Sequence, residues 1–225
     1  ANNIASFTMG TMNADLPLRL AANERTVQRF VAGLDGKVNL FGSDWRWNAY
    51  YQQGKSDSIE TAKDITNNAR LALAQDAVFR PGTTQIVCRS TLTDPNNGCV
   101  PLNRMGVGVV SKEALAYVLG NPQREQTLEQ RVAAISINGE PFSVAAGPVS
   151  LATGIEWREE EVTGFVDPIY RSGWFVGNYL PNFGKYDVKE AFVETVVPLA
   201  AGKPMAEALD LNAAVRRTDY STSGA

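Results

Sequence analysis

The chain has 225 residues and a formal net charge of -3, and 44% of its residues are hydrophobic. This charge gives no basic footprint for nucleic acid, so we expect no nucleic-acid partner. No segment approaches the roughly 20 consecutive apolar residues that a membrane-spanning helix requires.

Six segments alternate between apolar and polar residues with the period of two that indicates a β-strand with one apolar face. They are residues 26–37, 45–52, 130–138, 149–158, 188–199 and 209–216. The clearest is 149–158, where one face runs from Val149 to Trp157 and the other from Ser150 to Arg158. Glutamates at alternate positions of 188–199 exclude a strand buried on both faces. The pattern predicts an all-β protein with an antiparallel up-and-down meander of about six strands.

Short and long connections alternate between these segments. Residues 38–44, 139–147 and 200–207 are compact and contain the Gly or Pro that favours a tight reversal. Residues 58–129 and 164–187 are far longer than a usual loop, so we expect them to carry function or structure of their own. Short turns on one side and long loops on the other are typical of an outer-membrane β-barrel.

Two helices are predicted inside the long loop 58–129. Residues 67–78 have helical composition, and either Asp64 or Asn67 is a suitable N-cap. The second helix covers residues 111–119, with Ser111 as its N-cap and Gly120 at its end. Helices this short are marginal alone, so we expect them to pack on the rest of the loop.

The two cysteines, Cys88 and Cys99, flank a Pro-Asn-Asn-Gly sequence in the same loop. This turn chemistry brings the two sulfurs close enough for a disulfide in an oxidising compartment. The alternative is a pair of reduced thiols in a cytosolic protein. A metal site is disfavoured because the chain has no histidine and no other cysteine to complete a coordination set.

The second long loop, 164–187, is dense in aromatic residues with polar groups among them. Our candidate ligand-binding residues are Tyr170, Arg171, Trp174, Phe175 and Tyr179. Exposed aromatic rings suit stacking on sugars, aromatic compounds or flat chelates, while Arg fixes polar groups. The alternative is a loop that packs its own aromatic residues to stay ordered.

The polar faces of the strands carry charges that we expect to form ladders between neighbouring strands. These residues are Arg46, Tyr50, Glu156, Arg158, Glu190, Glu194 and Arg216. If the strands are those of an outer-membrane barrel, Trp45, Trp47 and Trp157 are expected at a membrane–water interface, with ordinary core packing as the alternative for each. The run Glu159-Glu160-Glu161 is interpreted as a solvated strand end rather than a metal site.

No catalytic residues, cofactor or metal are predicted. Serine nucleophiles have no histidine base in this chain. Glu190 and Glu194 lie about 13 Å apart along a strand, too far to share a proton. Met9-Gly10-Thr11-Met12 and Gly106-Val107-Gly108 lack the strand-to-helix context of a phosphate-binding loop.

Several runs closely resemble the barrel region of bacterial TonB-dependent outer-membrane receptors. They are residues 85–103, 139–142, 147–150, 188–199 and 213–221, with 7–10 and 13–17 resembling a loop before one of the strands. The resemblance covers nearly the whole chain in the order of the family. It implies a receptor in the outer membrane of a Gram-negative bacterium that binds a scarce ligand and imports it with energy from TonB.

A complete receptor of this family has a barrel of about 22 strands around an N-terminal plug, so about six strands imply a central piece without the plug. The implied partners are outer-membrane lipid, the TonB complex through the missing N-terminal part, and a small ligand such as an iron chelate, saccharide or aromatic compound. An isolated piece is expected to self-associate or to need detergent. The competing interpretations are a secreted, soluble β-sandwich that binds carbohydrate and, less favoured, a periplasmic hydrolase.

Overall fold

The computed structural model describes Gly10, residues 14–204 and residues 206–223. Most of these residues lie in strands, so the fold is all-β as predicted. The elements in chain order are β1 (Leu20–Leu40), β2 (Ser43–Lys63), β3 (Ile65–Thr66), α1 (Asn68–Gln75), β4 (Ala77–Phe79), β5 (Ile86–Cys88), α2 (Lys112–Val118), β6 (Leu119–Gly120), β7 (Gln123–Val144), β8 (Gly147–Phe165), β9 (Phe183–Lys203) and β10 (Ala206–Tyr220), with 3₁₀ turns at Arg89–Leu92 and Pro168–Tyr170. Within the described ranges, no helix is both long and apolar enough to cross a membrane.

The six long strands form one antiparallel sheet in the order β1-β2-β7-β8-β9-β10. Each long strand pairs with the next long strand along the chain, which confirms the predicted meander. Two small hairpins accompany it, one from β3 and β6 and one from β4 and β5.

The chain divides into two compact units. We call the first the loop unit; it contains the described residues of Ala1–Glu24 together with Ile59–Glu125 and Phe165–Pro181. We call the second the sheet unit; it contains Arg25–Ser58, Gln126–Gly164 and the described residues of Asn182–Ala225. Each unit is described by itself below.

The long strands extend several residues beyond their predicted ends. The long loops therefore cover residues 64–122 and 166–182, and are shorter than the predicted 58–129 and 164–187. Residues 159–161, interpreted from the sequence as a strand end, lie inside β8. The parts of these strands that lie beyond the predicted ends carry polar residues on both faces, so the sequence shows no apolar alternation there.

The connections between hairpin strands are tighter than predicted. β1 and β2 are joined by Phe41 and Gly42, whose φ angles of 56° and 80° are both positive, as a type I′ turn requires. Gly42 adopts this conformation without steric cost, while the Phe41 side chain is 93% exposed. The predicted connection 139–147 belongs largely to strand, because β7 continues to Val144 and β8 begins at Gly147.

In the sheet unit, aromatic rings lie over glycines of neighbouring strands. The Trp47 ring covers Gly36, and the Trp45 ring covers Gly139 so closely that a Cβ there would meet it at 2.7 Å. Trp45 is only 6% exposed, and its Nε1 donates a hydrogen bond to the Leu40 carbonyl oxygen at 3.2 Å. Within the sheet unit, Trp45 thus makes the contacts expected of a packed core residue, which was the alternative to a place at a membrane–water interface.

A β-bulge interrupts the alternation of β9 near its end. The register passes from Leu209 opposite Ala200 to Asp210 opposite Pro198, which leaves Leu199 without a partner in β10. The extra residue therefore interrupts the strict alternation of faces near the end of β9.

In the loop unit, the two predicted helices pack on each other. Ala74 of α1 and Ala114 and Val118 of α2 are fully buried and share a cluster with Leu102. Asn67 and Ser111 cap the helices, each accepting a backbone hydrogen bond through its side chain. The predicted cap Ser111 is confirmed, and Asn67 rather than Asp64 caps α1. Cys88 and Cys99 form the predicted disulfide.

Candidate ligand-binding surface

The aromatic loop, residues 166–181, is held in the loop unit by its own tryptophan. Trp174 is only 3% exposed, and its Nε1 donates a hydrogen bond to the Ile169 carbonyl oxygen at 2.8 Å. Its ring lies over Gly120, where a Cβ would meet it at 2.3 Å, and its centroid is 5.4 Å from that of Tyr170. Trp174 therefore holds the loop in shape and presents little surface to a ligand.

Arg171 and Asn178 also make contacts inside the loop. The Arg171 guanidinium donates two hydrogen bonds to the Val166 carbonyl oxygen, at 3.2 and 3.0 Å. The Asn178 side chain accepts from the Trp174 backbone N–H and donates to the Trp174 carbonyl oxygen, both at 2.9 Å. These bonds give the segment a defined backbone course, so the exposed Arg171 is engaged with the backbone of its own loop.

The other three aromatic candidates present more surface than Trp174. Phe175 is 57% exposed, while Tyr170 and Tyr179 are partly exposed. Two of these rings carry a cation: the Arg19 guanidinium lies 4.3 Å from the Phe175 centroid and that of Arg124 lies 5.3 Å from the Tyr179 centroid. Phe175, Tyr170 and Tyr179 are thus the rings of this set that a ligand at the surface of the loop unit would meet.

An anion site of the loop unit that the sequence did not reveal is filled by the chain itself. The Asp15 carboxylate accepts hydrogen bonds from the backbone N–H groups of Gly108, Val109 and Val110, at 2.6, 2.8 and 3.0 Å. Successive N–H groups that converge on one point form an anion-binding concavity. Gly106 and Gly108 are the sequence feature that could have indicated this concavity, since both adopt positive φ in the structure.

Charged ladders are present on the polar face of the sheet unit, the face that carries Glu156, Glu190 and Glu194. Arg216 in β10 contacts Glu190 at 2.8 Å and Glu194 at 4.0 Å. Arg158 lies 3.7 Å from Glu156 on its own strand. Glu156 and Glu190 stand directly opposite each other in the register. These side chains are therefore engaged mainly with one another.

A second polar chain on this face links five strands, and sequence reasoning missed it. Arg29 donates to Gln52, Gln52 to Gln130, and Gln130 to Glu160, which also accepts from the Tyr186 hydroxyl. Arg29, Gln52 and Gln130 lie in the predicted strand segments, whereas Glu160 and Tyr186 lie beyond the predicted ends, where the sequence shows no alternation.

A cavity of about 790 Å³ lies on the sheet unit at the end with the tight turns. Arg46 and Lys37 line it together with Asp44, Glu140 and Glu194. It is a polar recess with charges of both signs rather than a focused site for one ion. Among the described residues, no group of three or more His, Cys, Asp or Glu side chains is placed to hold a metal.

The apolar face of the sheet unit, the face of Ile155, Val193 and Val215, changes to charged residues along an oblique line. The first charged residue of this face is Glu159 in β8, Lys189 in β9 and Arg217 in β10. Lys189 pairs with Trp157, two residues before Glu159, and Arg217 pairs with Ala191, two residues past Lys189. The boundary therefore moves by two residues, about 6.6 Å, from each strand to the next.

Beyond this line the same face carries ion pairs between strands. Glu159 contacts Arg131 at 3.2 Å and Lys185 at 3.1 Å, and Lys185 also lies 3.6 Å from Glu161. On the other side of this line, toward the tight turns, the apolar side chains are exposed: Ile155 is 60%, Val193 49% and Val215 74% exposed. One face of the sheet unit thus has a wide exposed apolar band with a sharp charged border.

Comparison of the chain with protein-family models, curated proteins and solved structures returns no match.

Proposed function

We propose that this chain forms part of an outer-membrane active-transport receptor of the TonB-dependent type. In this proposal the receptor binds a scarce small molecule at the surface of a Gram-negative cell and imports it with energy from TonB. The observation that carries the proposal is the oblique border between apolar and charged residues on one face of the sheet unit. The partners are outer-membrane lipid on the apolar face, the TonB complex through an N-terminal part, and the ligand.

The slope of the border fits strands that cross a membrane at an angle. Barrel strands tilt by about 35–45°, so a flat membrane boundary meets neighbouring strands at points about 3–5 Å apart along their axes. Only alternate residues of a strand face the lipid, so the boundary can be located only to the nearest two residues, which is about 6.6 Å along the strand. The observed boundary, from Glu159 to Lys189 to Arg217, shifts by two residues from each strand to the next, which is the smallest shift that can be detected in this way. The polar opposite face suits a water-filled interior.

The competing function is a secreted β-sandwich that binds carbohydrate. A sandwich covers its apolar face with a second sheet. Ile155, Val193 and Val215 are open in the sheet unit, and the remaining described strands form only two-stranded hairpins. These observations favour lipid over a second sheet as the environment of the apolar face.

The proposal is tested by adding one arginine to either face of the sheet. Val193→Arg puts a charge in the apolar band, where contact with lipid makes it cost about 2–4 kcal/mol. Ala214→Arg is the matched control, because it puts the same side chain on the polar face opposite Glu194. We expect the first variant to lower the amount of receptor assembled in the outer membrane and the second to leave it unchanged.

Labelling of intact cells adds the orientation. An epitope inserted between Asn96 and Gly98, in an exposed turn of the loop unit, should be labelled on intact cells. An epitope at Phe41 and Gly42 should be labelled only after the outer membrane is permeabilised. Recovery of the parent protein in the soluble fraction, together with equal yields of the two arginine variants, would contradict the proposal and favour the sandwich.

A further inference from the structure

A cavity in the loop unit combines positive charge with apolar walls. Its volume is about 360 Å³, and its lining includes Leu16, Arg19, Thr66, Leu71, Arg104 and Phe175. Small-molecule sites in proteins have volumes of about 300–1,000 Å³. Among the described residues that line it, two are arginines and none is acidic. This combination selects for a ligand that is negatively charged and partly apolar.

Arg19 lines this cavity beside the Phe175 ring. Its guanidinium carbon lies 4.3 Å from the Phe175 ring centroid. A guanidinium over an aromatic ring keeps N–H groups that can pair with a planar oxyanion. Within the described part of the chain, no hydrogen-bond acceptor or acidic group contacts the Arg19 side chain.

The walls of the cavity are tied to each other by backbone hydrogen bonds. The Phe175 N–H donates to the Thr66 carbonyl oxygen at 2.9 Å. Asp15 accepts from the N–H groups at 108–110, which joins the segment that leads to Arg19 to the segment that follows Arg104. A site whose walls are fixed before binding loses less conformational entropy on binding. The backbone segments next to the two arginines are thus held together before a ligand binds.

We infer that this cavity binds a small organic acid with a flat apolar body. Its carboxylate pairs with Arg19 and Arg104, and its body lies against Phe175, Leu16 and Leu71. The inference rests on the proposed function and deepens it, because it names the chemical class of the ligand. It also assigns Phe175 of the aromatic loop a direct contact with that ligand.

The experiment is titration calorimetry on the full-length protein purified in detergent. The probes are benzoate, cinnamate and 2-naphthoate, each paired with its neutral amide, and inorganic phosphate. We expect at least one acid to bind saturably and its amide to bind about tenfold more weakly or worse, since a hydrogen bond to a charged group has been lost. Phosphate, which lacks the flat apolar body, should bind more weakly than that acid.

Three variants assign the binding to this cavity. Arg19→Gln and Arg104→Gln should each weaken acid binding about tenfold or more. Arg80→Gln, at an exposed arginine elsewhere in the loop unit, should leave it unchanged. The inference is overturned if no acid binds, if acid and amide bind equally, or if the Arg80 variant weakens binding as much as the other two. The comparison of acid with amide uses the unaltered protein and does not depend on the folding of any variant.

Because binding is measured on purified protein, its result is independent of where the protein lies in the cell. If the protein lies in the outer membrane but binds none of the acids, the proposed function stands and this inference is contradicted. If the protein is found in the soluble fraction and binds the acids, the proposed function is contradicted and the binding site stands.

Discussion

Asp15 makes the contact in the loop unit that depends most directly on pH. Hydrogen bonds from the backbone of Gly108, and then from Val110 and Val109, lower the pKa of its carboxyl below the ordinary value of 3.8. Because the folded-state pKa is lowered, the contact stabilises the fold fully above the unfolded-state pKa. This contribution is lost as the pH falls through the lower, folded-state value.

We therefore predict that the segment around Gly108 loosens below about pH 4. Hydrogen-exchange protection of the Gly108, Val109 and Val110 amides, corrected for intrinsic rates, should fall in that range. Asp15→Asn should lower this protection at neutral pH and remove its dependence on acid. Protection that is the same in both proteins at every pH would show that the carboxylate does not hold this segment.

Gly120 is a second residue at which the structure leaves little freedom. A methyl group there would meet the ring of the buried Trp174, so we predict that Gly120→Ala destabilises the aromatic loop by about 1–3 kcal/mol. Hydrogen exchange of the Val166–Pro181 backbone should accelerate accordingly. Gly54→Ala is the control, because nothing lies within 4 Å of a Cβ at that position. Equal effects of the two variants would mean that the Trp174 contact is not tight.

At the scale of elements, the disulfide is the strongest local restraint in the long loop. It joins the end of β5 to residue 99 across a sequence separation of 11. Closing a loop of this length stabilises the folded state by about 3 kcal/mol in the chain-entropy model. Nearby, the Leu102 N–H donates to the Ala74 carbonyl oxygen at 2.8 Å, so the restraint lies close to the core formed by the two helices.

We predict that the double variant Cys88→Ala, Cys99→Ala loosens this loop and leaves the sheet in place. Limited proteolysis should cut within residues 89–110 at a lower protease concentration, while the circular-dichroism signal of the strands is retained. Adding a reducing agent to the unaltered protein should have the same effect. Unchanged proteolysis under both conditions would mean that the two helices suffice to order the loop.

At the scale of the whole molecule, the exposed apolar face dominates the expected behaviour in solution. Side chains such as Ile155, Val193 and Val215 form a contiguous band, and exposed apolar bands of this kind drive association in water. β1 and β10 each pair with one neighbour in the described sheet, so each also offers an edge for pairing with another chain.

We predict that this 225-residue chain, produced by itself, self-associates in water and becomes monodisperse in detergent. Sedimentation velocity with and without detergent measures this directly. A Val193→Arg, Val215→Arg double variant should shift the distribution in water toward smaller species, because it puts charges into the apolar band. A monodisperse monomer of the unaltered chain in water would contradict an apolar face that is open to solvent.

The sequence by itself determined the features that depend on neighbouring residues. It predicted the number and order of the six long strands, because period-two alternation is a property of each strand alone. It also predicted the helix cap at Ser111, offered Asn67 as one of two caps for α1, and predicted the disulfide between Cys88 and Cys99, since capping and turn chemistry act over a few residues. The ligand and the role of each aromatic residue lie outside such patterns.

Only the tertiary structure decided the features that join residues far apart in the chain. Strand β8 continues through Glu159 because Arg131 and Lys185 pair with it from neighbouring strands, and the polar sequence there carries no alternation of its own. Trp174 is buried because Gly120 leaves room for its ring. Asp15 meets a backbone concavity 93 residues away. The physical reason is the same in each case: the free energy of these contacts belongs to pairs of groups that no local pattern brings together.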